Sequence, residues 1–251
     1  MNLRILAVDV GNTCTDLGLF ENHVLLSDQY FPSALKQIET LISLVETWHR
    51  ERPLDAVILA SVVPALADLL VSRLDALTGR KSIHVADMKT RLLPLRVDYP
   101  ETVGVDRVVN CYAAKMLYGA PAVVVSMGTA TTFEALSAEG EYLGGAIAPG
   151  VNISLEALTH RTALLPPVVF GRPERLIAVH TIGHMQSGIY YGTLSLIEGM
   201  VRRFKAALGE EAKVIGTGGL SAAIAGEGIF DIHDPYLTLK GLERIACDLA
   251  G

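Results

Sequence analysis

The sequence has little of what would tie it to several common classes. Its 251 residues contain three cysteines, Cys14, Cys111 and Cys247, widely spaced and without a Cys-x-x-Cys pair. That pattern suits a reducing compartment better than a disulfide scaffold. There is no uninterrupted apolar stretch long enough to span a bilayer. The first apolar run is too short for a secretory signal and meets Asp9 at once. Positive charge is also scarce, with 21 Lys and Arg against 27 Asp and Glu, for a net charge of −6. This argues against a broad nucleic-acid surface, though an anionic ligand needs only local donors and a metal ion. What is abundant is apolar side chain, at 50% of residues against 19% charged, so a sizeable core is available. The expectation is a soluble cytoplasmic protein of one large or two ordinary domains, with no membrane and no nucleic-acid partner.

The chain is organised around Asp9-Val10-Gly11-Asn12-Thr13-Cys14-Thr15-Asp16. The apolar run up to Val8 reads as a strand, and Leu17-Gly18-Leu19-Phe20 resumes one after the bend. A strand–turn–strand with small and hydroxyl residues at the bend can aim several backbone N–H groups at one anion. A carboxylate such as Asp9 is useful beside that anion only if a cation lies between them. The stretch therefore reads as a nucleotide-phosphate and magnesium loop. An ordinary β-hairpin with an Asp at its mouth accounts for the same residues.

Further along, Val24–Phe31 reads as an antiparallel partner strand, and Pro32-Ser33 opens a helix reaching about His49. Asp55–Ser61 is a buried parallel-type strand, and Pro64 sits in the first turn of the helix that follows. Residues 87–103 read as a surface loop, and a helix from Gly104 ends near Tyr118, before Gly119-Ala120-Pro121. Ala122–Ser126 is again a buried strand. It leads into a second turn, so that Val8–Thr15 lies over Val125–Thr132 without a gap and Gly11 falls on Gly128. Such self-similarity predicts two related α/β halves, 1–118 and 119–251, each presenting a phosphate turn to a shared cleft. In the second half a long helix spans about Thr181 to Leu208. Val214–Gly219 reads as a strand and Gly-rich turn before a helix over Leu220–Ala225, placing backbone close to a ligand.

Six motifs occur in order: Asp9-Val10-Gly11-Asn12-Thr13, Gly104-Val105-Asp106-Arg107, Gly128-Thr129-Ala130-Thr131-Thr132, Gly144 through Gly150, Met185-Gln186-Ser187-Gly188 and Thr217-Gly218-Gly219. Together they resemble the type III pantothenate kinases, of the acetate-kinase, sugar-kinase, chaperone and actin superfamily. The resemblance covers nearly the whole chain. It implies a duplicated ribonuclease-H-like fold and ATP bound between the halves. It also implies phosphorylation of pantothenate at the start of coenzyme A synthesis, by a homodimer that requires a monovalent cation.

The resemblance makes Asp106 the catalytic base, as its chemistry also allows, since an acceptor hydroxyl needs a carboxylate within hydrogen-bond reach. A helix N-terminal carboxylate is the plainer account of the same residue. Arg107 pairs with the pantothenate carboxylate or braces the site; Gly104 and Val105 leave room for substrate. Asp9 holds Mg2+, while Val10, Gly11, Asn12, Thr13, Cys14, Thr15 and Asp16 form the phosphate turn. Gly128 and Thr129 serve from the other half, and Gly218 and Gly219 pass close to the adenosine. Thr181 matches a substrate-contacting threonine, although a helix N-cap explains it equally. Tyr99 is expected to line the substrate pocket, but the family tyrosine falls two positions earlier, at Val97. The family also carries Asp in an Asp-Phe-Gly-Thr pattern where this chain has Ser126-Met127. Serine removes a negative charge, so the K+ or NH4+ site is expected to be weakened, absent or filled from elsewhere.

Two other functions compete with the kinase. A catalytically reduced regulator or transcription-accessory protein is suggested by Ser126. A sugar or small-acid kinase of the same superfamily would share the ATP turns, but not the Gly104–Arg107 and Met185–Gly188 pair.

Overall fold

A computed structural model describes residues 3–250, which form two compact units. The first runs through Pro94, takes Asp98–Ala113 and closes with the segment from Leu237; the second comprises Leu95–Val97 and Ala114–Tyr236.

In the first unit a five-stranded sheet has the order β3-β2-β1-β4-β5. The strands are β1 (Arg4–Val10), β2 (Cys14–Glu21), β3 (Val24–Pro32), β4 (Ala56–Ser61) and β5 (Ile83–His84). β1 is central, antiparallel to β2 and parallel to β4, so between Arg4 and Asp9 it is apolar on both faces. Its Leu6, Val8 and Val10 face a core completed by α1 (Ile38–Glu51) and α2 (Pro64–Thr78). α1, which begins after β3 has taken Pro32, supplies Ile38, Leu41, Ile42, Val45 and Trp48 at helical spacing. α2 starts on Pro64 and stops on Gly79 at φ 68°, the left-handed cap that glycine adopts without steric cost. The short α3 (Lys89–Leu92) lies within the stretch expected to be loop. α4 (Val105–Tyr118) follows it, and α7 (Leu237–Ala250) packs on β1, β2 and β4. A Cβ on Gly18 would stand 3.2 Å from a Leu239 methyl, so β2 leaves room there for α7.

The second unit repeats this plan. Its strands are β6 (Ala122–Met127), β7 (Ala130–Leu136), β8 (Tyr142–Pro149), β9 (Lys213–Thr217) and β10 (Ile232–His233). Their order β10-β9-β6-β7-β8 is that of the first sheet, strand for strand. β6 is again antiparallel to its hairpin partner and parallel to β9. α5 (Val151–Arg161) and α6 (Thr181–Leu208) pack on this sheet, with Phe133, Tyr190, Ile197 and Val214 in the core. The internal duplication expected from the two glycine turns is therefore present. Beyond β9, however, the expected Leu220–Ala225 helix is replaced by two 3-10 turns, Ser221–Ala223 and Ala225–Glu227. Gly228 at φ 75° ends the second of them. No described helix is long and apolar enough to cross a membrane.

Candidate functional site

The β1–β2 turn is closed by the Gly11 amide donating to the Cys14 carbonyl at 2.9 Å. A Cβ on Gly11 would lie 3.0 Å from that same oxygen, so the tightness of the bend accounts for the glycine. Asn12 and Thr13 are exposed at its tip, while Thr15 is buried. Ser33, just past β3, holds the turn from the side. Its hydroxyl donates to the Gly11 carbonyl at 2.7 Å, its amide donates to the Thr13 carbonyl at 2.8 Å, and Thr15 Oγ1 lies 2.9 Å from its oxygen. The sequence pattern starts a helix at Pro32-Ser33; β3 instead runs on to Pro32, a 3-10 turn follows at Leu35–Gln37, and α1 begins at Ile38.

Behind the turn, Asp9 of β1 stands directly opposite Asp16 of β2. Cross-strand partners share a face, and like charges there repel. Burial, then the Asp106 carboxylate, then Asp16 push the Asp9 pKa up to about 8. Asp16 is itself raised, first by burial and then by Asp28 of β3. Cys14 is also raised, by burial and by Asp16. Every contribution to Asp9 has the same sign. This is a carboxylate neighbourhood short of positive charge, and an oxygen-seeking divalent cation would relieve it. The donor set thus fits Mg2+.

Asp106, the expected base, lies in the first turn of α4, where the helix dipole favours its negative charge. Its Oδ1 would be only 2.5 Å from a Cβ on Gly104. The glycine therefore leaves the volume that the folded-back carboxylate occupies. Val105 is buried and anchors the helix start, and Arg107 is half-buried beside it. The effect of Asp106 on Asp9 places the two carboxylates in one electrostatic neighbourhood within the first unit. Tyr99, by contrast, is 67% exposed and precedes a 3-10 turn (Pro100–Thr102).

In the second unit the Gly128 amide donates to the Ala130 carbonyl at 3.0 Å. Ser126 stands opposite Thr132, and Met127 opposite Thr131. The corresponding pair in the first hairpin is Val10 opposite Thr15. The second turn is thus one residue shorter, and the gap-free alignment slips after the glycine. The structural counterpart of Thr15 is Thr131, both buried, and that of Asp16 is Thr132. Gly128 and Thr129 are exposed at the tip. Gly150, which follows β8 as Ser33 follows β3, presses on this turn: a Cβ there would be 2.1 Å from the Thr129 carbonyl oxygen. Gly218 has φ +89° and passes so close to β6 that a Cβ would stand 2.7 Å from the Met127 backbone. Gly219 beside it is exposed. Thr181 begins α6 and is exposed, but the cap is His180, whose Nδ1 accepts the Gly183 amide at 3.1 Å. The capping role considered for Thr181 therefore belongs to its neighbour.

The family profile described as type III pantothenate kinase matches residues 5–203. The chain belongs to that family. It is 42% identical to the type III pantothenate kinase of Moorella thermoacetica over 96% of this chain and 98% of that protein. Among solved structures, a Baf family transcriptional activator from Campylobacter jejuni superposes with a TM-score of 0.63 at 20% identity, covering 98% of each chain. The ROK hexokinase of Thermus thermophilus gives a TM-score of 0.52 at 14% identity, covering 98% of this chain and all of that one. At such identities these two share the fold: an actin-like and sugar-kinase-like α/β architecture of two similar halves.

Proposed function

We propose that the protein transfers the γ-phosphoryl group of ATP to the primary hydroxyl of pantothenate, giving 4'-phosphopantothenate for coenzyme A biosynthesis. The observation that carries this reading is the carboxylate group of the first unit, with Asp106 at a helix start and within electrostatic reach of Asp9. In this reading Asp106 accepts the hydroxyl proton while the oxygen–phosphorus bond forms and the bond to the β-phosphate oxygen breaks. The Gly11–Thr15 and Gly128–Thr129 turns both supply donors to the phosphates, and Gly218 and Gly219 give the adenosine a close backbone surface. Arg107 meets the substrate carboxylate, with Gly104, Val105, Thr181 and Tyr99 completing its contacts. Asp9 would hold Mg2+, which when bound would supply positive charge against that developing on the phosphates. Ser126 offers only a neutral oxygen to a monovalent cation, so a K+ or NH4+ site there would be weakened, absent or filled from elsewhere.

A homodimer is part of the proposal. Leu164, Val169, Ile177 and Val179, together with Ile182 of α6, are exposed apolar side chains in the second unit. Such a concentration favours a covered surface. Use of cytosolic ATP supports a cytoplasmic setting.

A coupled assay of the purified protein beside Asp106→Asn tests the base. The expected result is a fall in kcat of about 10³-fold with nucleotide binding retained. Equal turnover by the two proteins removes Asp106 from its role. No turnover in either, with ATP still bound, would favour the regulatory reading over the kinase.

A further inference from the structure

At the end of β2 opposite to the phosphate turn, Asn22 and His23 both adopt left-handed backbone, with φ 52° and 66°. This is uncommon for residues other than glycine, and it turns His23 toward α7. There Glu243 and Cys247, four residues apart, share one helix face. His23 Nδ1 lies 3.0 Å from Glu243 Oε1, and the Cys247 thiol donates to that oxygen at 3.2 Å. One ligand atom from each of the three residues falls within 4.8 Å of the other two. The Glu243 side chain is 6% exposed and that of His23 is 60% exposed, so the cluster has a fixed floor and an open mouth. The nearby cation Arg244 is engaged elsewhere, its Nε donating to Asp248 at 3.1 Å.

We propose that His23, Glu243 and Cys247 bind one divalent transition ion of the zinc class. An imidazole nitrogen, a carboxylate oxygen and a thiolate sulfur are a zinc donor set, and tetrahedral bonds of about 2.0–2.3 Å bring such ligands to roughly 3.5 Å of one another. The fourth position faces solvent past His23 and takes water. Binding replaces the thiol proton by the metal: the S–H bond breaks, an S–metal bond forms and one proton leaves to solvent. The two negative ligands then balance the ion's charge. The site would clip the β2–β3 turn to the C-terminal helix, and so stabilise the folded state by mass action. It is independent of the kinase reading, because none of its ligands is assigned to the phosphate turns.

The test uses the full-length, metal-stripped protein titrated with Co2+ and then Zn2+. Expected are one equivalent of Co2+ with a thiolate-to-cobalt charge-transfer band, displacement by Zn2+, and a rise in thermal midpoint. Cys247→Ser should abolish the band. His23→Ala, at an exposed side chain on the β2–β3 turn, should weaken binding at least ~10-fold and remove most of the thermal shift. Cys14→Ser should leave the band intact. Absence of a stoichiometric band, a band that survives Cys247→Ser, or one lost only in Cys14→Ser overturns the site. So does full affinity in a folded His23→Ala protein.

Discussion

In the β1–β2 hairpin the pair behind the turn is Asp9 opposite Asp16; in the β6–β7 hairpin the same two positions hold Ser126 opposite Thr132. The backbones around these pairs follow one plan, down to a proline that ends the third strand and a next residue that braces the turn. Duplication has thus preserved the arrangement that offers N–H groups while confining the carboxylate pair behind the turn to one copy. A phosphate chain needs donors from any direction, but a divalent cation needs carboxylates in one place. Two acidic hairpins would add repulsion without adding a cation ligand that the first does not already supply.

The largest test of this contrast is to remove a carboxylate from the pair behind the first turn, where the second turn has none. Asp9→Asn is expected to lower kcat by ~10²-fold or more, measured with saturating ATP and pantothenate. The same variant should be more heat-stable than the parent in the absence of Mg2+, by on the order of 1 kcal/mol. The opposed signs matter, since a merely structural aspartate would lose both quantities together.

The braces come next. Gly150→Ala would drive a methyl group into the Thr129 carbonyl, backbone that cannot swing aside, and should cost ~2–3 kcal/mol in denaturant unfolding. Ser33→Ala removes hydroxyl contacts to the Gly11 carbonyl and Thr15 but leaves the amide contact to Thr13 in place. Its cost should be nearer 1 kcal/mol. Equal costs would mean that the two turns are not held in the different ways described.

How far the sequence foretold all this depends on how local each signal is. Strand β1, helix α2, and the start and end of α6 are written in runs and spacings within one element, and each forms as expected; α1 keeps its apolar face but starts at Ile38, later than Pro32-Ser33 suggested. The duplicated topology was legible because Gly11 and Gly128 sit at the same point of two apolar strands. The bracing residues were not, because Ser33 and Gly150 act on turns about twenty residues away and carry no periodic signal. The register slip after Gly128 was hidden by the Thr-rich stretch, where Thr131 and Thr132 both offer a match for Thr15 and only the pairing chooses. The helix expected after Gly219 is lost to 3-10 turns in a segment with positive φ at Gly218 and Gly228. The His23 cluster was out of reach altogether, since its residues meet across 220 positions of sequence.

A smaller effect should appear as pH is varied without Mg2+. Burial, with Asp106 and Asp16 nearby, pushes the Asp9 pKa in the folded chain up to about 8 from its ordinary 3.8. Between those values the folded chain keeps a proton that the unfolded chain has released. Asp9's own contribution to stability is therefore most favourable below pH 4, declines as pH rises, and bears the full penalty above about pH 8. Thermal midpoints across that window should therefore fall for the parent more than for Asp9→Asn. Added Mg2+ should raise the midpoint more at pH 8 than at pH 5, because the ion competes with that proton.

The smallest expected effect concerns the second hairpin. With Ser126 in place of an acid, its hydroxyl pair offers a monovalent cation dipoles but no charge, so replacing choline by K+ at constant ionic strength should change kcat less than ~3-fold. Ser126→Asp would restore one negative charge on the half-buried end of β6, opposite Thr132. If the neutral hairpin is the reason for a weak response, this variant should acquire a K+ dependence larger than the parent's, seen as a steeper rate against K+ concentration. A parent enzyme that is strongly K+-dependent would show that the cation is held by oxygens other than those at Ser126. The difference in charge between the two hairpins would then have no bearing on the monovalent ion, and would matter only for the divalent one at Asp9.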